Sequence, residues 1–334
     1  MNALACDVGG TNTRMGLVRH GLLLADSVAI YRNDDFSDFY AVATAYLART
    51  GLAAVDTVCI ALASVATAEG ATLTNRDWTI SRSQVLATCG ATRVGFINDF
   101  EALGFSLGQA ARLETTCLTG GLTRGLNGGL TKGAGANEGA PRLVMGAGTG
   151  FNAAAWCPSR FGGAPHVVAA ECGHMTLALA GEDEFALQQA LSRINGRASV
   201  ERALSGNGLV AIYNWVCARH GAEARFSHGA EISSRAVERS DALCGEAAQM
   251  FMHLLGRVAG DLALAYLPYD GIYLSGGVTR ALGPLLESEP AFLRAFTAKG
   301  RMAELMEQFS IHLLSDDASA LHGCAEWVRL SSAA

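Results

Sequence analysis

Lysine is almost missing from this 334-residue chain: only Lys132 and Lys299 are lysines among 25 basic residues, and the rest are arginine. The arginines are scattered and the formal net charge is -6. No basic face for a nucleic acid is therefore expected, and the skew toward arginine reads as genome composition. No CxxC pair occurs. The nine cysteines (6, 59, 89, 117, 157, 172, 217, 244 and 324) are odd in number and lie mostly in apolar runs such as Val58-Cys59-Ile60. That usage points to buried free thiols in a reducing compartment. No uninterrupted apolar run is long enough to cross a bilayer. The long stretch at 250–267 holds His253, Arg257 and Asp261, so it reads as a core helix. Neither a basic region nor an apolar one precedes Ala3-Leu4-Ala5-Cys6, so no secretion signal is read there. A cytoplasmic protein with no membrane partner is expected. The pattern G-x-x-x-x-G-K-[ST] is absent, which excludes a P-loop NTPase. The segment 146–151 lacks the third glycine of G-x-G-x-x-G, which disfavours a Rossmann dinucleotide site.

What the chain does have is apolar bulk and glycine. Hydrophobic residues make up 50% and charged residues 17%, enough to bury one large core or two. After the apolar run Ala3-Leu4-Ala5-Cys6 comes Asp7-Val8-Gly9-Gly10-Thr11-Asn12. A strand followed by an acid, two glycines and a threonine describes a tight hairpin whose backbone can approach a phosphate unobstructed. Thr11 can donate a hydroxyl to a phosphate oxygen. Asp7 can hold a water of a phosphate-bound Mg²⁺, an ion that prefers oxygen ligands and keeps most of its waters. An ordinary Asp-Gly hairpin, with glycines supplying positive φ, fits the same residues.

Alternating apolar residues predict strands at 3–8, 13–19 and 22–31, then a helix at 36–50. Strands at 57–63 and 93–98 alternate with a Ser-capped helix at 81–89 and a helix opening at Asp99. This order describes a mixed α/β sheet covered by helices. Residues 119–141 are glycine-rich, with Gly-Gly-Leu-Thr at 120–123 and again at 128–131, and read as a surface loop or long hairpin. The strand-turn pattern then restarts. A strand at 142–145 runs into Gly146-Ala147-Gly148-Thr149-Gly150-Phe151, and a strand at 152–157 returns, as an internal duplication would give. Helices follow at 182–195, 199–204, 207–220, 233–239 and 242–267. A strand at 272–274 ends in Ser275-Gly276-Gly277, a further strand spans 311–314, and a last helix spans 319–330.

Three glycine turns, at 9–10, 146–150 and 276–277, thus follow strands. Two can hold a nucleotide's phosphates and the third can let an adenosine lie on the backbone. For chemistry a base is needed. Asp99 would sit at the carboxyl edge of a sheet, where α/β ligand sites lie, or would serve simply as a helix N-cap. Glu171 and His174 follow a strand and can grip hydroxyls, but are too few for a zinc site. Glu201 stands where a capping-box acid might.

Taken in order, these residues resemble the bacterial glucokinase family over nearly the whole chain. The resemblance rests on Asp7-Val8-Gly9-Gly10-Thr11-Asn12-x-Arg14, Leu73-Thr74-Asn75-x-x-Trp78, Ile97-Asn98-Asp99-Phe100, Gly146-Ala147-Gly148-Thr149-Gly150 and Glu171-x-Gly173-His174. It extends through Glu201-Arg202-x-Leu204-Ser205-Gly206-x-Gly208-Leu209, Ser275-Gly276-Gly277 and Lys299-Gly300-Arg301. It implies a two-domain, actin-like ATPase (ribonuclease H-like) α/β fold with an interdomain cleft. Residues 1–110 and 315–334 would form the small domain and 111–314 the large one. It implies transfer of the ATP γ-phosphoryl to the 6-hydroxyl of D-glucose, with ATP and Mg²⁺ required and a homodimer expected. Asp99 matches the catalytic base. Asn98, Asp99, Glu171, His174 and Glu201 match the glucose-binding positions. Asp7, Gly9, Gly10, Thr11 and Asn12 match one phosphate hairpin, Gly146, Gly148, Thr149 and Gly150 the other, and Gly276 and Gly277 the adenosine turn.

The chain departs from that family in two places. Asn152 stands where the family usually has glycine; asparagine tolerates the left-handed region better than most residues. The family's proline after the strand ending at Ala63-Ser64-Val65-Ala66 is missing. Glu171-Cys172-Gly173-His174 does not continue into the Cys-rich zinc motif of the related ROK sugar kinases, so zinc is not expected. A kinase for mannose or glucosamine, or a non-catalytic sugar sensor, remains open on the sequence.

Overall fold

A computed structural model describes residues 2–62, 67, 69–73, 76–119, 123–124, 130–131, 139–159, 162–315 and 317–333. The chain divides into two compact units. One comprises Met1–Leu113, Pro158–Val168 and Asp316–Ala334, the other Glu114–Cys157 and Ala169–Ser315.

In the first unit Asn2–Val8 pairs antiparallel with Asn12–Arg19 and parallel with Thr57–Leu62, which pairs parallel with Arg93–Asn98. Alternation along the first strand sorts side chains by size. Leu4, Cys6 and Val8 face a layer containing Phe39, Val42, Tyr46 and Trp78, while Ala3 and Ala5 face one containing Ala102, Leu321, Cys324 and Val328. Small residues suit the second face because two helices cross closely there. A Cβ on Gly323, in the helix Ser319–Ala333, would lie 1.7 Å from the Ala102 carbonyl oxygen of the helix Asp99–Ser106.

The expected strand at 22–31 is two short strands, Leu22–Leu23 and Ala29–Arg32, both paired with Asn12–Arg19. Ser27 divides them: its Oγ donates to the Leu24 carbonyl and accepts from the Leu17 N–H, closing a turn within the apolar run. The helix predicted from 36 begins at Phe39, because Asp38 caps it by accepting from the Ala41 N–H at 2.8 Å. Ser81 occupies the N-cap position of Arg82–Cys89, but its side chain makes no capping bond.

The second unit is built on a sheet in the order Phe151–Cys157, Arg142–Ala147, Ile272–Ser275, Ile311–Leu314, Thr115–Cys117. Its central pairs are parallel. The helices Gly206–Arg219, Ala242–Tyr266 and Ala291–Thr297 contribute to the core on one face, among them Tyr213, Phe251, Leu255, Phe292 and Phe296. Within the glycine-rich segment, Thr123–Arg124 and Leu130–Thr131 form a two-stranded antiparallel ladder. None of the nine cysteines is in a disulfide, and seven are buried. No helix among the described residues is long and apolar enough to cross a membrane.

Candidate active site

The candidate site residues of the first unit gather at one sheet edge. Val8 pairs in register with Leu62, and Leu62 with Asn98. With adjacent strands about 4.8 Å apart, the glycine turn after Val8 and Asp99 leave the same carboxyl edge about 10 Å from each other. Asn98, not Asp99, is the N-cap. Its Oδ1 accepts from the Phe100 N–H at 2.9 Å, and Glu101 Oε2 accepts from the Asn98 N–H at 3.3 Å, completing a capping box. The bland role open to Asp99 is thus already filled by its neighbour. Asp99 is the first helical residue, half-buried, with its Oδ1 accepting from the Phe100 N–H at 2.9 Å. Asn98 Oδ1 is committed to the cap, so its Nδ2 is the group that can reach a ligand.

Asp7 lies opposite Arg14 in the antiparallel pair, and Arg14 Nη1 approaches its Oδ2 at 3.3 Å. Burial pushes the Asp7 carboxyl above the usual range. Arg14 pulls it back, and the Asp317 charge pushes it up again. The turn itself closes through the Gly9 N–H, which donates to the Asn12 carbonyl at 3.0 Å. Gly9 is not left-handed; a Cβ there would lie 3.3 Å from the Asn12 oxygen. Close approach, not positive φ, is what this glycine supplies.

In the second unit Gly146 pairs in register with both Asn152 and Ser275, so the turns at 148–150 and 276–277 also leave one edge. Glycine is required on geometric grounds. A Cβ on Gly146 would lie 2.1 Å from the Ser275 carbonyl oxygen. Gly276 has φ 95°, and a Cβ there would lie 2.3 Å from the Ala147 oxygen. Buried Thr279, two residues beyond Gly277, accepts from the Ala147 N–H at 3.2 Å and so ties the two turns together. The Gly206 N–H donates to the Gly148 carbonyl at 2.8 Å from behind.

The hydroxyl-binding candidates of this unit pack on the same hairpin. Glu201 does not act as a capping acid: its Oε2 accepts from the Phe151 N–H at 3.1 Å. Glu171 and His174, both exposed, flank a 3₁₀ turn closed by the His174 N–H donating to the Glu171 carbonyl at 3.0 Å. Gly173 lets that turn sit against the hairpin, since a Cβ there would lie 2.2 Å from the Phe151 oxygen. Asn152 adopts extended strand backbone rather than the left-handed region that its amide would tolerate. Its buried Oδ1 accepts from the Cys172 N–H at 3.0 Å and from its neighbour Ala153 at 2.9 Å. The departure at this position is therefore a bridge between the hairpin and the Glu171–His174 turn.

Sequence reading did not single out Asn33, Arg76 or Thr279, although each holds a glycine turn through hydrogen bonds. Thr279 is the one with a local signal, a hydroxyl just past Gly276-Gly277. Thr74, Asn75 and the segment at 63–66 lie outside the described residues. Among the described residues no group of three or more His, Cys, Asp or Glu side chains is arranged to hold a metal.

A family model described as Glucokinase matches residues 4–331. The chain is 33% identical over 324 residues to a glucokinase of Marinobacter nauticus, covering 97% of this chain and 96% of that one. Its fold matches the crystal structure of a glucokinase from an Antarctic psychrotroph with a TM-score of 0.81 at 28% identity, over 98% of both chains. A ROK family glucokinase from Streptomyces griseus, solved with glucose and AMPPNP, shares the fold at a TM-score of 0.59 and 18% identity, over 98% of this chain and 99% of that one. The chain belongs to the glucokinase family.

Proposed function

We propose that this chain transfers the γ-phosphoryl of ATP to the 6-hydroxyl of D-glucose, giving glucose 6-phosphate and ADP, with Asp99 as the base. Family membership supports the donor and the acceptor. The observation that supports the chemistry is the row Val8, Leu62, Asn98, from which a glycine turn and a carboxylate leave one sheet edge.

In this reading the hydroxyl proton passes to Asp99 as the sugar oxygen bonds the γ-phosphorus and the bond to ADP breaks. Phosphoryl transfer asks mainly for positioning and charge stabilisation. The Phe100 N–H fixes the Asp99 carboxylate, and the start of the helix favours its charge. Asn98 through Nδ2, together with Glu171, His174 and Glu201, would bind the remaining hydroxyls. An epimer would leave a polar group unpaired at about 1–3 kcal/mol each, which is how such a set selects one hexose.

The residues around Asp7 fit a magnesium ion. Its carboxylate is partly buried, one Arg14 contact at 3.3 Å offsets its charge, and Asp317 raises its proton affinity. A cation relieves that arrangement, and Mg²⁺ commonly uses one or two carboxylates plus substrate phosphates. Asp7 would hold it through water; bound there, the ion neutralises charge on the phosphates. Nine cysteines outside any disulfide fit the cytoplasmic location, which we propose together with a homodimer on the family resemblance.

A coupled assay of ADP formation over glucose, mannose and glucosamine tests this function. ADP formation that depends on glucose and exceeds that with the other two is expected. No ADP with glucose overturns the reading, and a clear preference for another hexose overturns the substrate assignment.

A further inference from the structure

We propose that Asn33, assisted by Arg76, is the positioning residue that aims the backbone N–H groups of the Asp7–Asn12 turn at the nucleotide's phosphates. This rests on the reading above that the turn binds a triphosphate. Asn33 is completely buried, and it follows directly on the strand Ala29–Arg32. Its Nδ2 donates to the Gly9 carbonyl at 2.8 Å and to the Gly10 carbonyl at 3.2 Å. Its backbone N–H donates to the Thr11 carbonyl at 2.9 Å. Three successive carbonyls are thus drawn to one residue.

A trans peptide unit is planar, and its N–H points opposite to its C=O. Tying down the carbonyls of Gly9, Gly10 and Thr11 therefore turns the N–H groups of Gly10, Thr11 and Asn12 the other way. Gly10 and Thr11 are exposed. Consecutive backbone N–H groups facing one side form an anion-binding concavity. The turn sequence alone permits many peptide orientations, and Asn33 selects the one that presents donors outward.

The choice of side chain follows. Only an amide supplies two N–H donors and an acceptor on one short stem. Both donors are used on the turn, whose acceptor-only carbonyls fix which end of the amide faces the glycines, and Oδ1 accepts from Thr13 Oγ at 2.8 Å. Arg76 braces the same array. Its Nε donates to the Gly10 carbonyl at 3.4 Å and its Nη1 to the Asn33 carbonyl at 3.2 Å, and it also pairs with Asp34. Its guanidinium lies 5.0 Å from the centre of the Trp78 ring, which gives the Trp78 motif a role behind the phosphate turn.

The test compares the parent with Asn33→Asp, which keeps the shape but turns a donor into an acceptor facing two carbonyls, and with Arg76→Met, a half-exposed position whose variant keeps the stem on Trp78. Each is measured for KM with ATP, KM with glucose, kcat, and the rise in Tm caused by inorganic tripolyphosphate. For Asn33→Asp we expect the ATP KM to rise about tenfold or more, and for Arg76→Met about threefold, with the glucose KM within about twofold of the parent. The tripolyphosphate shift should shrink in the same order. If Asn33→Asp does not fold, Arg76→Met decides. An ATP KM within twofold of the parent in the folded variants, or an equal rise in both KM values, overturns the inference. A parent that gains stability from tripolyphosphate but forms no ADP with glucose overturns the proposed function and leaves the tripolyphosphate comparison to decide the inference.

Discussion

Replacing Asn152 by alanine should destabilise the second unit and weaken glucose binding together. Asn152 is 8% exposed, and its Oδ1 is the partner of the Cys172 N–H at 3.0 Å. Cys172 is itself 4% exposed, so water cannot readily replace the lost acceptor. Leaving one buried N–H unpaired costs about 1–3 kcal/mol. For a folding unit of 150–250 residues, each kcal/mol lowers Tm by about 2–4 °C, so a fall of about 4–8 °C is expected for a mid-range loss. The same bond anchors the turn carrying Glu171 and His174, so KM for glucose should rise several-fold while KM for ATP changes less. Asn152→Asp retains the acceptor and should melt close to the parent. Thermal melting with and without glucose, read beside steady-state kinetics, makes the comparison. An Asn152→Ala protein that melts within 1 °C of the parent and keeps its glucose KM, judged against the mid-range estimate of about 2 kcal/mol, would refute the bridge.

Further outcomes follow from the two hairpins. The raised proton affinity of Asp7 comes first from burial, so its proton persists to a higher pH than an ordinary carboxyl's. The proton competes with the metal, so KM for MgATP should fall as pH rises through that raised value and then level off. Asp7→Asn should flatten the profile. The associated stability term has the opposite sense: it is present at low pH and lost as pH rises through the folded-state value. Gly146→Ala would put a methyl 2.1 Å from the Ser275 oxygen, so the paired strands must part. A large drop in Tm, or loss of soluble protein, is expected on melting and expression, whereas an unchanged Tm would show that this edge yields easily.

Local patterns made much of this architecture legible. The strands over Asn2–Val8 and Arg93–Asn98 and the helix over Glu182–Asn195 follow from alternation and helical spacing that burial enforces. The break at Ser27 was only partly legible: Asp26-Ser27 interrupts the apolar run 22–31, but the turn depends on a hydroxyl reaching Leu17, ten residues away. Candidate site residues could be named where chemistry is concentrated in consecutive residues, as at Asp7–Asn12 and Asn98-Asp99. The candidate site was not legible where the supporting partner is remote. Asn33 reaches back over twenty residues to the glycines, and Asn152 reaches forward twenty to Cys172. Propensity assigns asparagine to turns in both places, while tertiary hydrogen bonding decides its use. Glu201 was ambiguous for the same reason, since its partner Phe151 lies fifty residues earlier.

Turnover by Asp99→Ala tests the central claim most directly. The cap is carried by Asn98 and Glu101, so the variant should stay folded and still show a glucose-induced rise in Tm by linkage. Its kcat in the coupled assay should fall at least a hundredfold, the lower range for loss of a positioned acid–base group. A folded Asp99→Ala protein that binds glucose and turns over at a rate near the parent's would contradict the account.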